Sequence, residues 1–271
     1  MKIDELDRLL REKLRRWERR EKDEDQFKVV EEVFDSATIR TVLELTRRGV
    51  LKKINGVVSA GKESRVYLAY GSSGELLAVK IYLTSSAEFK KGIYKYIIGD
   101  PRFNGVKIKD TRSLMIAWAH KEFRNLKRMW EAGVKVPKPI VCLNNVLVME
   151  FLGEQNFRYP LLVEVYEELT REELEHIFKL VCEELEKIVC KAELVHGDYS
   201  EYNIVVKPDL DIAVIDVSQA VELSHPNALE FLNRDIENIY RFFTKEAGLD
   251  VDKDYIRGRV ESCLKEKGIL Y

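Results

Sequence analysis

The sequence predicts an α+β chain of two lobes: an N-terminal lobe built on an antiparallel β-sheet with one long helix, a trimmed and mostly helical C-terminal lobe, and extra helices ahead of both. Three observations predict it. Apolar residues recur every three or four positions up to Gly49 and then fall into short β-type runs. Turn signals punctuate that second region, at Gly71-Ser72-Ser73-Gly74 and at Asn144-Asn145. From Tyr159 onward helical spacing returns. The lobes are expected at residues 51–152 and 153–271, with a helical extension over 1–50.

Taken in order, residues 1–25 are mostly charged, with Ile3, Leu6, Leu10, Leu14 and Trp17 on one stripe, which reads as an amphipathic helix docking that stripe on the rest of the protein. A second helix is expected from Ser36 as N-cap through Ile39, Leu43 and Thr46 to Gly49, whose tolerance of positive φ ends it. Strands follow at 56–59, 65–70 and 76–83 as a meander. A polar stretch dotted with aromatics covers 84–111, and a helix covers 114–132, closed by Gly133. Strands at 139–143 and 146–151 flank Asn144-Asn145, a pair suited to the positive φ of a tight hairpin. Helices are expected at 161–166, 171–191 and 227–243, interrupted by apolar runs at 194–206 and 212–217.

A chain of 271 residues with 45% hydrophobic and 34% charged residues can bury one sizeable core or two small ones without staples. Its formal net charge of −2 excludes a chain-wide attraction to nucleic acid. Cys142, Cys182, Cys190 and Cys263 show no C-x-x-C spacing and lie in apolar segments, so free thiols in a reducing compartment are expected. No apolar run reaches the roughly 18 residues of a membrane span, and the N-terminus lacks a signal-type apolar region, so a cytoplasmic protein is expected.

Residues 56–63 almost spell a P-loop, but Glu63 stands where a hydroxyl should hold magnesium, and the following Arg65-Val66-Tyr67-Leu68 reads as a strand where a P-loop opens a helix. The glycine-rich template of the protein kinases fits better. Ser59, Gly61 and Ser64 fall on its three glycine positions and Val66 on its valine. Fourteen residues after Val66, Leu77-Ala78-Val79-Lys80 matches the strand whose lysine holds the α and β phosphates. That lysine needs a carboxylate to fix it, for which Glu122 inside the long helix is the candidate and Glu131 the competitor.

The most specific signal is His196-Gly197-Asp198-Tyr199-Ser200-Glu201-Tyr202-Asn203, which keeps a five-residue Asp-to-Asn spacing between apolar flanks. One carboxylate can orient or deprotonate a nucleophile, and an amide oxygen five residues on can hold magnesium. Thirteen residues later Asp216 emerges from an apolar run, where burial without a cation would be costly. His196 reads as a structural hydrogen-bonder, and His120, His176 and His225 show no ligand spacing. Met149-Glu150-Phe151-Leu152 stands where a hinge would pair the Glu150 carbonyl and the Leu152 N–H with an adenine edge. These elements define a two-lobed protein-kinase-like fold. Only 55 residues follow Asp216, too few for the activation segment and helices that grip a peptide in eukaryotic-type kinases.

Ser59-Ala60-Gly61-Lys62-Glu63-Ser64, Lys121-Glu122-Phe123-Arg124-Asn125-Leu126, the 196–203 segment and Ile215-Asp216-Val217-Ser218-Gln219 resemble the RIO family of atypical serine/threonine kinases over residues 51–243, its first subfamily and an archaeal member most. The resemblance implies ATP and Mg2+ as cofactors, with Mn2+ able to substitute, and nucleotide contacts at Ser59, Gly61, Lys62, Ser64, Val66, Ala78, Lys80, Met149, Glu150, Leu152, Asn203 and Ile215. It implies Lys80, Glu122, Asp198 and Asp216 in catalysis, and Asn203 and Asp216 on the metal. It also implies a role in small ribosomal subunit maturation and an ATPase cycle in which Asp216 is transiently phosphorylated.

Between residues 90 and 112, Lys90, Lys91, Lys95, Arg102, Lys107, Lys109 and Arg112 are interleaved with Tyr94, Tyr96 and Phe103, a composition suited either to RNA of a pre-ribosomal particle or to a lid over ATP. Thr84, Ser85, Ser86, Thr111 and Ser113 are candidate self-phosphorylation sites. Two other readings stay open at this level: a small-molecule kinase of the aminoglycoside or choline type, and a non-catalytic ribosome-binding module shaped by ATP.

Overall fold

A computed structural model describes residues 35–83, 89–103, 108, 110–155 and 157–269. The expected helix at 1–25 lies outside them. In chain order the elements are α1 (Ser36–Arg47), β1 (Lys53–Ala60), β2 (Ser64–Tyr70), β3 (Leu76–Tyr82), α2 (Phe89–Ile97), α3 (Thr111–Glu131), β4 (Pro139–Leu143), β5 (Val146–Glu150) and the short pair β6 (Gly153–Glu154) and β7 (Phe157–Arg158). There follow α4 (Leu162–Val165), α5 (Arg171–Glu186), β8 (Leu194–Val195), β9 (Ile204–Val206), β10 (Ile212–Val214), β11 (Val221–Glu222), α6 (Ala228–Arg241) and α7 (Lys253–Glu266).

These form two compact units. Among the described residues, the first takes in those up to 90 with 107–123 and 138–159, and the second takes in 91–106, 124–137 and 160 onward.

The first unit is a five-stranded antiparallel sheet in the order β1-β2-β3-β5-β4. Alternation along the strands sends Tyr67, Ala69, Leu77, Val79, Ile81, Val146 and Val148 to one face, where Leu45 of α1 and Leu51 complete a core. Asp35 caps α1, its carboxylate accepting the Thr38 N–H at 2.7 Å, so the cap lies one residue before the expected Ser36. Gly49 takes φ 72° after the helix, and Asn144 takes φ 50° in the β4–β5 turn, as their chemistry predicts. The first strand is longer than 56–59, because Lys53 and Ile54 pair across to Tyr70 and Ala69 despite a charged, Asn-Gly-containing sequence.

The second unit is mainly helical. Thr170 and Glu173 close a reciprocal capping box at the start of α5, whose Leu174, Ile177, Val181 and Leu185 are buried. α6 buries Ala228, Phe231, Leu232, Ile236 and Ile239, and α7 buries Ile256, Val260 and Leu264. Two short antiparallel ladders, β9–β10 and β8–β11, pin the loops between them.

Two expectations are corrected. Cys190 and Cys263 form a disulfide across a sequence separation of 73 residues, with Cα atoms 5.7 Å apart, while Cys142 and Cys182 are not disulfide-bonded. Pairing over such a distance leaves no spacing signature; it is made when the π-helical turn Lys187–Lys191 and α7 come together. The inserted stretch also carries regular structure, α2 and a 3₁₀ turn at Pro101–Phe103. Ile93, Tyr96, Ile97 and Phe103 are buried there, so two of the three aromatics read as base-stacking candidates serve packing instead. Among the described residues, no helix is long and apolar enough to cross a membrane.

Candidate active site

In the first unit Lys80 sits on the sheet face opposite the main core, since it alternates with Val79 and Ile81. It is 5% exposed, and its ammonium donates to Glu122 Oε1 at 2.8 Å. Glu122 is fully buried on α3 and also accepts from the Tyr82 hydroxyl. A cation and an anion this deeply buried are tolerated because they pair with each other and Glu122 takes a further hydrogen bond. Glu131, the competing partner, lies exposed beside Lys127 at 3.8 Å.

The same face carries several of the residues expected to meet nucleotide. Val66 lies opposite Lys80 in the β2–β3 ladder, and Ala78 lies opposite Met149 in the β3–β5 ladder. Val66, Ala78 and Met149 join Leu68, Phe151, Val58 and Leu76 in a separate apolar cluster. Gly61 N–H donates to the Ser64 carbonyl at 2.9 Å, closing the β1–β2 turn with Lys62 exposed at its tip. Ser59 is exposed and pairs with Val66 across the hairpin. Glu150 ends β5, its N–H donating to the Lys138 carbonyl at 2.9 Å, and the Leu152 carbonyl accepts from Tyr159 N–H at 2.9 Å.

In the second unit the loop from His196 to Asn203 connects β8 to β9. Gly197 takes φ 78°, which strains any L side chain, and a Cβ there would also crowd the Gln219 carbonyl oxygen at 3.3 Å. His196 is buried with Nε2 3.3 Å from the Ile215 carbonyl oxygen, a structural contact as expected. The Asn203 amide nitrogen donates to the Asp198 carbonyl at 2.8 Å and to Asp198 Oδ2 at 3.2 Å. Gln219 Nε2 reaches the same Oδ2 at 3.3 Å. The Ile215 N–H donates to the Asn203 carbonyl at 2.9 Å, so this loop and the Asp216 segment are tied by their main chains.

Asp216 departs from one expectation. It is exposed where β10 ends, not buried among its apolar neighbours, because the chain turns there into the left-handed region at φ 55°, ψ 64°. Desolvation therefore gives no argument for a cation. The left-handed backbone shows instead a residue held in place by its surroundings. Ser218 Oγ donates to Asp216 Oδ1 at 2.8 Å, and the 3₁₀ turn Val217–Gln219 follows directly.

One residue escaped sequence reasoning. Asp235 on α6 is fully buried, and its two oxygens accept the N–H groups of Gly197 at 2.8 Å and Tyr199 at 2.9 Å, bracketing Asp198. Burial pushes its carboxyl up to about 7, against the opposing pull of those two donors and of Arg234. The signal was present: Asp235 interrupts the apolar stripe Ala228, Phe231, Leu232, Ile236, Ile239 at helical spacing.

A sheet carrying a buried lysine–glutamate pair, together with a helical unit carrying an Asp-x4-Asn loop and a second aspartate, defines the protein-kinase class of ATP-dependent phosphotransferases. The RIO domain matches residues 65–256. The chain is 42% identical over 254 residues to the RIO-type serine/threonine-protein kinase Rio1 of Haloferax volcanii, covering 93% of this chain and 84% of that protein. It is 39% identical over 223 residues to the Rio1 of Methanocaldococcus jannaschii, covering 73% of it. It spans only 41% of human serine/threonine-protein kinase RIO1, at 37% identity. The chain belongs to the RIO family and is a RIO-type serine/threonine kinase. In fold it is similar to the Rio2 kinase–ADP/Mg2+–phosphoaspartate complex of Chaetomium thermophilum, with TM-score 0.51 and 21% identity over 84% of this chain and 70% of that one.

Proposed function

We propose that this kinase also works as a Mg-ATPase in maturation of the small ribosomal subunit in the cytoplasm, and that Asp216 alternates between holding magnesium and accepting the γ-phosphoryl group. The observation that carries the reading is the orientation of Asn203. Its amide nitrogen faces two acceptors of Asp198, so its Oδ1 is left as a hard oxygen ligand, on a loop bonded through its main chain to the segment of exposed Asp216. One amide oxygen and one carboxylate suit magnesium, which keeps its remaining positions for water and phosphate.

When bound, magnesium neutralises charge on the phosphates. Lys80, fixed by Glu122, holds the α and β phosphates, and the Val66, Ala78 and Met149 patch receives the adenine ring. In the ATPase cycle an Asp216 carboxylate oxygen bonds the γ-phosphorus as the bond to the β-phosphate oxygen breaks and ADP leaves. Water then attacks the phosphorus, its proton passes to Asp198, and phosphate departs with Asp216 restored. The phosphoaspartate named in the Chaetomium thermophilum Rio2 complex supports this cycle. With a serine substrate, Asp198 takes the hydroxyl proton instead.

RNA or protein of a pre-ribosomal particle is the partner this reading requires. Within residues 90–112, exposed Tyr94 and Lys95 are the described residues best placed to meet it, because Arg102 is engaged with Asp100 and Arg112 with Asp35. Of the described self-phosphorylation candidates, Ser113 already donates its hydroxyl to the Asp110 carbonyl at 2.9 Å, which leaves Thr111 the better acceptor.

The test is incubation with γ-labelled Mg-ATP, following released phosphate and hydroxylamine-labile label on the protein, in wild type and Asp216→Asn. Slow turnover with labile label that the variant lacks supports the cycle. Stable label on the protein without any labile label assigns conventional kinase chemistry and removes the aspartyl intermediate.

A further inference from the structure

We propose that Arg102, in the inserted segment between β3 and α3, is a positioning residue for phosphoryl transfer: through Asn125 it sets the main chain that follows Asp216. The inference rests on the reading of Asp216 as metal ligand and phosphoacceptor.

Asp100 and Asn125 are essentially inaccessible, and the Arg102 side chain is 14% exposed. Arg102 closes on Asp100 through its main-chain N–H at 2.9 Å and its guanidinium at 2.9 and 2.6 Å, which neutralises the cation and fixes the plane of the fork. The rest of the fork points outward from that pair. Nη1 donates to Asn125 Oδ1 at 2.5 Å, and Nη2 donates to the Ala220 carbonyl at 3.3 Å.

The amide of Asn125 is thereby oriented without ambiguity. A guanidinium can only donate and a carbonyl can only accept, so Asn125 must turn its oxygen to Arg102 and its nitrogen to the loop. That nitrogen donates to the Val217 carbonyl at 2.8 Å and the Ala220 carbonyl at 3.0 Å. These two carbonyls bracket the 3₁₀ turn that begins at the residue after Asp216, and the turn carries Gln219, which donates to Asp198. Asp216 itself holds a left-handed conformation that L-residues leave unless their neighbours prevent it. The chain Asp100, Arg102, Asn125, Val217/Ala220 supplies that restraint from a segment that sequence reasoning treated only as a lid or an RNA contact.

A second contact from the same insertion has the same target. Tyr96 of α2 packs on Phe231 with ring centroids 5.1 Å apart, and its hydroxyl oxygen accepts from Arg234 at 3.1 Å. Arg234 also donates to the Gly197 carbonyl. The insertion thus touches both the loop carrying Asp198 and the loop carrying Asp216, within one compact unit.

The experiment uses the full chain with Arg102→Lys, Arg102→Met, Asn125→Asp and the double variant Arg102→Met/Asn125→Asp, measuring kcat and KM for ATP turnover, the Mg2+ concentration at half-maximal rate, and Tm. Arg102→Lys keeps the ion pair with Asp100 but loses the fork, so it separates positioning from folding. Expected for both Arg102 variants is a loss of about 10- to 100-fold in kcat with a raised Mg2+ requirement, KM for ATP moving less than about 3-fold, as for misplacement of a reacting group. The double variant should lose less than the product of the two single losses, because one chain of contacts is broken in each. If Arg102→Lys and Arg102→Met keep kcat and the Mg2+ requirement within about 2-fold of wild type while Tm falls, Arg102 only packs and the proposal is overturned. Asp216→Asn is run alongside: unchanged Mg2+-dependent turnover in that variant shows that the site reading itself has failed, and the proposal falls with it.

Discussion

The carboxylate of Asp235 accepts the main-chain N–H of Tyr199 at 2.9 Å, in a setting with no access to water. Its other oxygen takes the Gly197 N–H at 2.8 Å, so one side chain of α6 holds the backbone on both sides of Asp198. Replacing it with alanine leaves two buried donors unpaired. Asp235→Ala should lose about 1–3 kcal/mol of stability for each, read from urea unfolding, while Asp235→Asn keeps one acceptor and should lose less.

Protonation of the same group gives a pH signature. Burial raises its carboxyl from an ordinary 3.8 to about 7, so the folded chain holds a proton that the unfolded chain releases. The stability this contributes is fully present below the unfolded value and is lost as pH rises through the folded one. The stability difference between wild type and Asp235→Asn, which cannot titrate, should therefore decline from about pH 4 to about pH 7 and level off above it. Urea midpoints at a series of pH values check this, and a difference that stays constant across the window refutes it.

Lys80 and Glu122 are a buried pair 2.8 Å apart, and removing one leaves the other charged in a dry site. Lys80→Met and Glu122→Leu should each destabilise the protein by about 3–5 kcal/mol, and the double variant should cost clearly less than the sum. Both single variants should also lose ATP turnover. A double-mutant cycle on unfolding free energies, with phosphate release measured in parallel, decides the matter.

The disulfide between Cys190 and Cys263 closes a loop of 73 residues. A cross-link of that span is worth about 4 kcal/mol in the chain-entropy account, so a reductant or Cys263→Ser should lower Tm by several degrees. Thermal melts with and without reductant test it. Mass spectrometry after thiol alkylation should find Cys142 and Cys182 modified on unfolding, and the other two only after reduction.

Asn203 offers a fifth test. Asn203→Ala removes the proposed ligand oxygen and the two bonds to Asp198 together, so the Mg2+ requirement of ATP turnover should rise by at least about 10-fold, as when an oriented ligand is lost. Asn203→Asp restores a ligand oxygen but turns a second carboxylate toward Asp198. It should bind magnesium better than the alanine variant and still turn over slowly.

Much of this protein was legible in the order of its residues, because local chemistry is what the order encodes. Alternation placed Val66, Ala78 and Lys80 on one face of the sheet, helical spacing placed Glu122 on the long helix, and the five-residue step from Asp198 to Asn203 marked the loop. Glycine and asparagine announced their turns at Gly49 and Asn144 through the positive φ they tolerate. What the sequence could not decide was which distant groups meet. Glu122 rather than Glu131 at Lys80, Cys263 at Cys190, Asp235 beneath Gly197 and Tyr199, and Asn125 between Arg102 and Ala220 are pairings across 23 to 95 residues, and only packing selects them. The same packing buried Tyr96 and Phe103 and exposed Asp216, reversing what their neighbours in sequence implied. Burial and partner choice belong to the folded chain, since a side chain's solvent and its counter-charge come from whichever segments the core brings against it.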